Sequence, residues 1–214
     1  TEKISMAEYN KLYEVPIHLE GYDPTYKGHQ GQIKKAATLI KNAKRPLIIA
    51  GAGVLKSGAM DELKELAEKA QIPVTNTLVG LGGFPGDHEL ALGMVGMHGS
   101  VAANNSTDEA DLVIAAGIRF HDRITGHPDF FCKKAKIIHI DIDPAEIDKN
   151  VTINVPIVGD LKQVLTELNA LVEPTTHEAW LEQIREWQAE YPMVIPESKN
   201  DVLHAQYVLS ELNK

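Results

Sequence analysis

The chain of 214 residues is 43% hydrophobic and 24% charged, proportions usual for a soluble globular protein. Its 21 basic and 30 acidic residues give a formal net charge of −9, which argues against a nucleic-acid partner and means that local groups must hold any anionic ligand. The single cysteine, Cys132, excludes an internal disulfide and a multi-cysteine zinc site, and no stretch is apolar enough to predict a membrane span.

Residues 1–30 contain proline, glycine and tyrosine without a sustained hydrophobic period. We interpret this segment as an extended N-terminal linker. The chain begins with Thr1 and shows no leader pattern, so we expect a piece of a longer cytoplasmic protein.

Between residues 31 and 172, helical periodicity alternates with short apolar runs. The predicted helices are 32–43, 58–70 and one that starts at Asp160. The apolar runs are 47–50, 73–77, 112–116, 137–140 and 155–158. Continuous apolar runs separated by helices are typical of parallel strands covered on both faces. The pattern predicts a Rossmann-like α/β domain with a doubly wound parallel sheet of five or six strands.

A helical extension is predicted for residues 173–214. Thr175 and Glu178 have the spacing of a capping box, which predicts the start of a helix. One face of this helix carries Trp180, Ile184, Trp187 and Tyr191. A second, short amphipathic helix is predicted at 201–213, and we interpret it as the start of a following domain.

Two glycine-rich stretches follow predicted strands. Gly51-Ala52-Gly53 differs in spacing from both the dinucleotide fingerprint and the Walker A loop, so a tight turn and a dinucleotide site are equally supported. The second stretch runs from Gly80 to Gly99, where Met97 offers an apolar wall for a flat ring. His98 in the same stretch is either a hydrogen-bond donor to a ligand or a structural residue.

Two arginines, Arg119 and Arg123, follow the predicted strand at 112–116. Guanidinium groups pair with phosphate, and this would answer the need for local positive charge in an acidic chain. The alternative is a solvated surface pair, or an arginine oriented by Asp122.

Carboxylates follow the next two strands. Asp141 could accept hydrogen bonds from ribose hydroxyls, whereas Asp143 precedes Pro144 and fits a helix cap. For Asp160, capping and contact with ribose or adenine are equally supported. We find no nucleophile with a paired base and no metal-ligand spacing, so the residues indicate a binding site rather than a catalytic one.

Four of these stretches resemble the central domain of the catalytic subunit of acetolactate (acetohydroxyacid) synthase. They are Gly80–His88, Gly93–Gly99, Arg119–Gly126 and Ile138–Glu146, and the similarity covers about residues 30–170. The resemblance implies a six-stranded parallel sheet that binds FAD, without a net redox role for the flavin. It places thiamine diphosphate and Mg²⁺ between two other domains of the parent enzyme, a transferase of branched-chain amino acid biosynthesis that condenses two pyruvates, or pyruvate and 2-oxobutyrate, with release of CO2.

The resemblance also implies which residues contact FAD. They are Gly51, Ala52, Gly53, Thr77, Leu78, Met97, His98, Gly117, Arg119, Arg123, Ile124, Asp141, Ile142, Gly159 and Asp160. It implies a homo-oligomeric parent enzyme with a regulatory subunit, and no catalytic residue within this piece, which should be inactive alone. His121 is a departure, because the family usually has an aspartate there.

Two other functions stay open. One is a structural spacer domain whose crevice is empty or holds ADP. The other is a nicotinamide-dependent deacylase on a related sheet, but those enzymes usually need a four-cysteine zinc site, and Cys132 is alone.

Overall fold

The computed structural model describes residues 5–14, 23–194 and 203–212. At its centre is a six-stranded sheet in which every neighbouring pair is parallel. The strands are β1 Pro46–Ala50, β2 Val74–Asn76, β3 Ala91–Met94, β4 Leu112–Ala116, β5 Lys136–Asp141 and β6 Val155–Val158. Their order is β3-β2-β1-β4-β5-β6, so the strand order reverses between β1 and β4. Ligands of open α/β sheets bind at such a reversal, outside the carboxyl ends of the strands.

Helices accompany the sheet along the chain. They are α1 Met6–Glu14, α2 Gln30–Asn42, α3 Ala52–Ser57, α4 Met60–Ala70, α5 Val101–Glu109, α6 Asp122–Thr125, α7 Leu161–Leu171, α8 Glu178–Glu190 and α9 Ala205–Leu212. Short 3-10 turns occupy Leu78–Gly80, Pro128–Phe130 and Pro144–Glu146. Within the described ranges, no helix combines the length and apolarity that crossing a membrane requires.

The central strands are buried on both faces. Every residue of β1 and β4 is buried, which explains why these strands appear as unbroken apolar runs. Ile48 pairs with Ile114, and Ile114 pairs with Ile138, in a cluster shared with α2, α4 and α7. Alternate residues such as Ile49 and Val113 point to the other face, in a cluster shared with α5 and α8. The predicted doubly wound α/β sheet is confirmed.

Three elements differ from the sequence prediction. β3 was not predicted, because Gly93 interrupts its apolar pattern and the strand lies at the edge of the sheet. The helix predicted at 58–70 is preceded by a separate helix, α3, and Gly58 ends α3 in the left-handed conformation with φ +64°. Helix α1 lies within the segment predicted to be extended.

Helix α8 packs on the same core as the sheet. Trp180 and Ile184 are buried on the face that the sequence predicted, and the Trp180 Nε1–H donates to the carbonyl of Pro46 at 3.0 Å. Tyr191 is exposed instead. The predicted capping box is wrong, because the N-cap residue is His177 and the Thr175 hydroxyl donates to the carbonyl of Ala70.

Cys132 is buried in the cluster beneath α8, as expected for a packed cysteine. Burial raises the pKa of its thiol far above the usual range, so the sulfur stays protonated.

Candidate functional site

A cleft of about 620 Å³ opens at the carboxyl ends of β1, β2, β4, β5 and β6. It therefore contains the point at which the strand order reverses. Most of the residues expected at a dinucleotide site line it, namely Ala52, Gly53, Thr77, Gly117, Arg119, Ile124, Asp141, Ile142 and Asp160.

The remaining expected contact residues lie elsewhere. Met97 and Arg123 line a neighbouring hollow of about 400 Å³, which shares Ile124 with the cleft. Leu78 and His98 are exposed outside both hollows. Gly51 and Gly159 are buried in backbone packing beside the cleft.

The glycines after β1 allow two backbone segments to touch. The N–H of Gly51 donates to the carbonyl of Ala116 at 2.9 Å, and the N–H of Gly53 donates to the carbonyl of Gly117 at 3.0 Å. A Cβ on Gly53 would lie 2.6 Å from the Cα of Gly117. These two N–H groups are therefore bonded within the protein, as a tight turn requires, while Ala52 and Gly53 line the cleft.

Gly159 has a similar packing role at the other end of the cleft. A Cβ there would lie 2.9 Å from the backbone nitrogen of Gly28. The next residue, Asp160, donates its backbone N–H to the carbonyl of Tyr26 at 2.8 Å. The segment before α2 thus lies directly over the end of β6.

The segments that follow β1 and β4 bring positive charge to the cleft. Lys56 and Arg119 line it, and the Arg119 Nε lies 3.8 Å from an Oε1 of Glu146. The Arg119 side chain is 69% exposed, so it remains available to a ligand. Orientation of an arginine side chain by Asp122 was one alternative, but the Asp122 Oδ1 accepts from the backbone N–H of Arg123 instead. Glu146 is the carboxylate beside Arg119.

The last residue of β5 and the segments that follow β5 and β6 bring three carboxylates to the cleft, those of Asp141, Asp143 and Asp160. The Asp141 Oδ1 accepts from the backbone N–H of Asp143 at 2.9 Å, and burial raises the pKa of the Asp141 carboxyl. Asp143 caps the 3-10 turn through the N–H of Ala145 at 3.0 Å. Asp160 caps α7 through the N–H of Gln163 at 3.1 Å. Capping is confirmed for both residues.

Apolar side chains also line the cleft. They are Leu55, Val79, Ile118, Ile124, Ile140, Ile142 and Leu161. The sequence prediction missed Leu55, Lys56, Ser57, Val79, Ile118, Ile140, Asp143 and Leu161 as lining residues, and His121, which departs from the family's usual aspartate, lines the cleft as well. All of them lie within a few residues of a predicted strand end, which is the signal that could have identified them.

In the described part of the chain, no group of three or more His, Cys, Asp or Glu side chains is arranged to hold a metal ion. An apolar cleft with cationic and carboxylate side chains in its lining complements a ligand that combines flat rings with phosphates and hydroxyl groups.

Comparison with known proteins gives a consistent result. The acetolactate synthase large subunit of Corynebacterium glutamicum is 42% identical over 216 residues, covering 99% of this chain and 34% of the relative. The probable acetolactate synthase large subunit of Methanocaldococcus jannaschii is 56% identical over 179 residues, covering 81% of this chain and 30% of the relative. The chain thus spans about a third of the length of these curated relatives.

A sequence family described as "Thiamine pyrophosphate enzyme, central domain" matches residues 33–168. The matched range begins in α2 and ends in α7, so it contains the whole sheet and every residue of the cleft. The chain belongs to this family of thiamine pyrophosphate enzyme central domains.

Proposed function

We propose that the chain is the FAD-binding central domain of an acetolactate synthase large subunit. The parent enzyme would condense two pyruvates, or pyruvate and 2-oxobutyrate, with release of CO2. The names of the relatives support the enzyme class. The cleft at the reversal of strand order supports a dinucleotide ligand.

The observation that carries the proposal is that one cleft combines apolar walls with two cationic side chains and three carboxylates at neighbouring strand ends. Lys56 and Arg119 suit a pyrophosphate, because ammonium and guanidinium groups both pair with phosphate oxygens. Asp141, the last residue of β5, suits ribose hydroxyls, which donate hydrogen bonds to a carboxylate. The cleft volume of about 620 Å³ lies in the range of ligand sites, and the adjoining hollow extends it past Ile124.

A buried hydroxyl at the wall of the cleft also fits a polar ligand. Thr77 lines the cleft, and its Oγ1 has no hydrogen-bond partner within the described part of the chain. A buried hydroxyl without a partner costs free energy, which a ligand group beside Thr77 would recover.

The residues of this chain would bind and orient the cofactor rather than carry out a reaction. Thiamine diphosphate with Mg²⁺, held by other domains, would supply the carbanion chemistry, and FAD would take no part in net redox chemistry. The proposal includes a homo-oligomeric, cytoplasmic parent enzyme with a regulatory subunit, and an inactive isolated chain.

Retention of flavin by the purified chain tests this proposal. The protein is mixed with FAD and desalted, and the flavin absorption band is measured in the protein fraction. We expect retained flavin, and an affinity about tenfold lower in Arg119→Gln, because a charged hydrogen-bond donor is lost. Arg185→Gln is the matched control, since Arg185 pairs with Glu178 and Glu182 on α8 outside the cleft.

Loss of all flavin on desalting would contradict the proposal. Binding of ADP by calorimetry without retention of FAD would then favour a spacer domain that holds ADP. Binding of neither would favour a spacer domain with an empty crevice.

A further inference from the structure

His139 is a fully buried histidine in the middle of β5, directly behind the cleft. Its Nε2 lies 2.9 Å from the carbonyl oxygen of Ile118 and 3.9 Å from the Oδ2 of Asp141. The ring of Phe120 contacts it edge-on, with centroids 5.0 Å apart. Ile118 and Asp141 both line the cleft, so one imidazole touches two of its walls.

The hydrogen bond to Ile118 shows that the Nε2 atom of the ring carries a proton. A carbonyl oxygen only accepts, so the Nε2 atom carries the proton. Burial lowers the pKa of His139 more than the hydrogen bond to Ile118 and the carboxylates of Asp141, Glu146 and Asp148 raise it, which favours the neutral imidazole. The Nδ1 atom has no hydrogen-bond partner in the described part of the chain, as suits a ring without a second proton.

Ile118 belongs to the loop at residues 117–121, which follows β4 and carries Arg119. The loop starts at Gly117, whose φ is +60° and whose N–H donates to the carbonyl of Ile140. Its far end is held by the Asn150 side chain, which donates to the carbonyl of Phe120. Between these two anchors, the His139 ring is the side chain that holds the Ile118 carbonyl.

We propose that His139 is a positioning residue of the cleft. Its Nε2–H holds the Ile118 carbonyl and so sets the direction in which the backbone presents Arg119 to a ligand. The effect on ligand affinity rests on the proposed function, whereas the effect on the loop does not.

Hydrogen exchange in the ligand-free chain tests the effect on the loop. The backbone N–H of His121 donates to the carbonyl of Arg119, so its exchange rate reports the order of this loop. We expect His139→Leu to raise this rate about fivefold to tenfold, because the Ile118 carbonyl loses its donor. His139→Gln keeps a side-chain N–H and should remain within about twofold of the parent chain.

The amide of Ile114, inside β4, is the internal control and should exchange at the same rate in all three chains. If His139 acted through packing alone, His139→Gln and His139→Leu would change the exchange rate of His121 alike, or would raise the exchange rate of Ile114 together with that of His121. Either outcome would overturn the proposal, as would an unchanged rate at His121.

A measurement on the unaltered chain covers the case in which His139→Leu fails to fold. Nitrogen-15 NMR of the imidazole distinguishes the two neutral tautomers. A proton on Nε2 supports the proposal, and a proton on Nδ1 overturns it, because Nε2 could not then donate to Ile118.

Flavin affinity tests the connection to Arg119. If His139 acts through Arg119, His139→Leu should weaken FAD binding about fivefold in the parent chain and very little in the Arg119→Gln background. Equal losses in both backgrounds would overturn the link. If the parent chain binds no FAD, the proposed function fails, while hydrogen exchange still decides the role of His139.

Discussion

Two regions beside the cleft are held together in different ways. After β1 and β4, Gly53 and Gly117 bring two backbones so close that an added Cβ would lie 2.6 Å from its neighbour. At the ends of β5 and β6, the side chains of Asp141, Asp143 and Asp160 accept hydrogen bonds from backbone N–H groups. The Gly53–Gly117 contact is sensitive to side-chain volume, because it leaves no room for a Cβ. The carboxylate region is sensitive to charge and hydrogen bonding.

The largest effect is expected at the contact between the backbones of Gly53 and Gly117. Gly53→Ala should lower the free energy of unfolding by about 2–3 kcal/mol, because the new methyl group overlaps Gly117. Alanine would otherwise be favoured over glycine in a helix, so the sign of the change is informative. Urea denaturation measures it. Gly86→Ala is the control, since a Cβ at Gly86 meets nothing within 4 Å. Equal stability of the two variants would contradict the packing argument.

A smaller effect is expected at the Asp160 side chain, which caps α7. Asp160→Ala should cost about 1 kcal/mol, because α7 loses its N-cap acceptor. Asp160→Asn keeps an acceptor at the same position and should leave thermal stability almost unchanged. The pair of variants also separates the two roles left open by the sequence. If Asn preserves stability but lowers flavin affinity, the carboxylate contacts the ligand in addition to capping the helix.

The smallest effect is a gain in stability from removing one charge. Because burial raises the pKa of Asp141 above its ordinary value of 3.8, the folded chain keeps this proton to a higher pH than the unfolded chain does. Ionisation of Asp141 therefore costs stability as the pH rises. Asp141→Asn should raise the free energy of unfolding at pH 7 by less than about 1 kcal/mol, since solvent screens part of the carboxylate.

Thermal melts of the Asp141→Asn variant at two pH values check the cause of this gain. The gain should disappear at about pH 3, where the carboxyl group is protonated in both states. A gain of the same size at both pH values would mean that charge is not its source. Asp143→Asn is a control at a carboxylate that also lines the cleft.

Much of the sheet could be predicted from the sequence, because central parallel strands bury both faces. Every residue of β1 and β4 is apolar and buried, and short uninterrupted apolar runs of this kind are typical of central parallel strands. β3 has one buried residue among its four, so its sequence resembles a glycine-rich loop. Helix α3 was missed for a related reason, since Gly53 within it lowers helix propensity and is needed for contact with Gly117.

The cleft could be located from the strand ends, but its internal contacts could not. The position of Asp141 at the end of β5 followed from the apolar run at 137–140. The contact of Arg119 with Glu146 joins loops that follow different strands, and local sequence patterns carry no information about such a pair. The hydrogen bonds from the Gly51 and Gly53 N–H groups to Ala116 and Gly117 depend on β4 lying next to β1. Periodicity does not determine this strand order.

The location of α8 has a consequence for spectroscopy. Both tryptophans of the chain, Trp180 and Trp187, lie on this helix, with ring centroids 5.8 Å apart. The indole of Trp180 is held against Pro46 at the start of β1, whereas the cleft opens at the opposite ends of the strands. Tryptophan fluorescence should therefore follow the detachment of α8 from the sheet, and flavin absorption should follow occupancy of the cleft. The two signals would show whether the C-terminal helix and the ligand site lose their order in one step or in two.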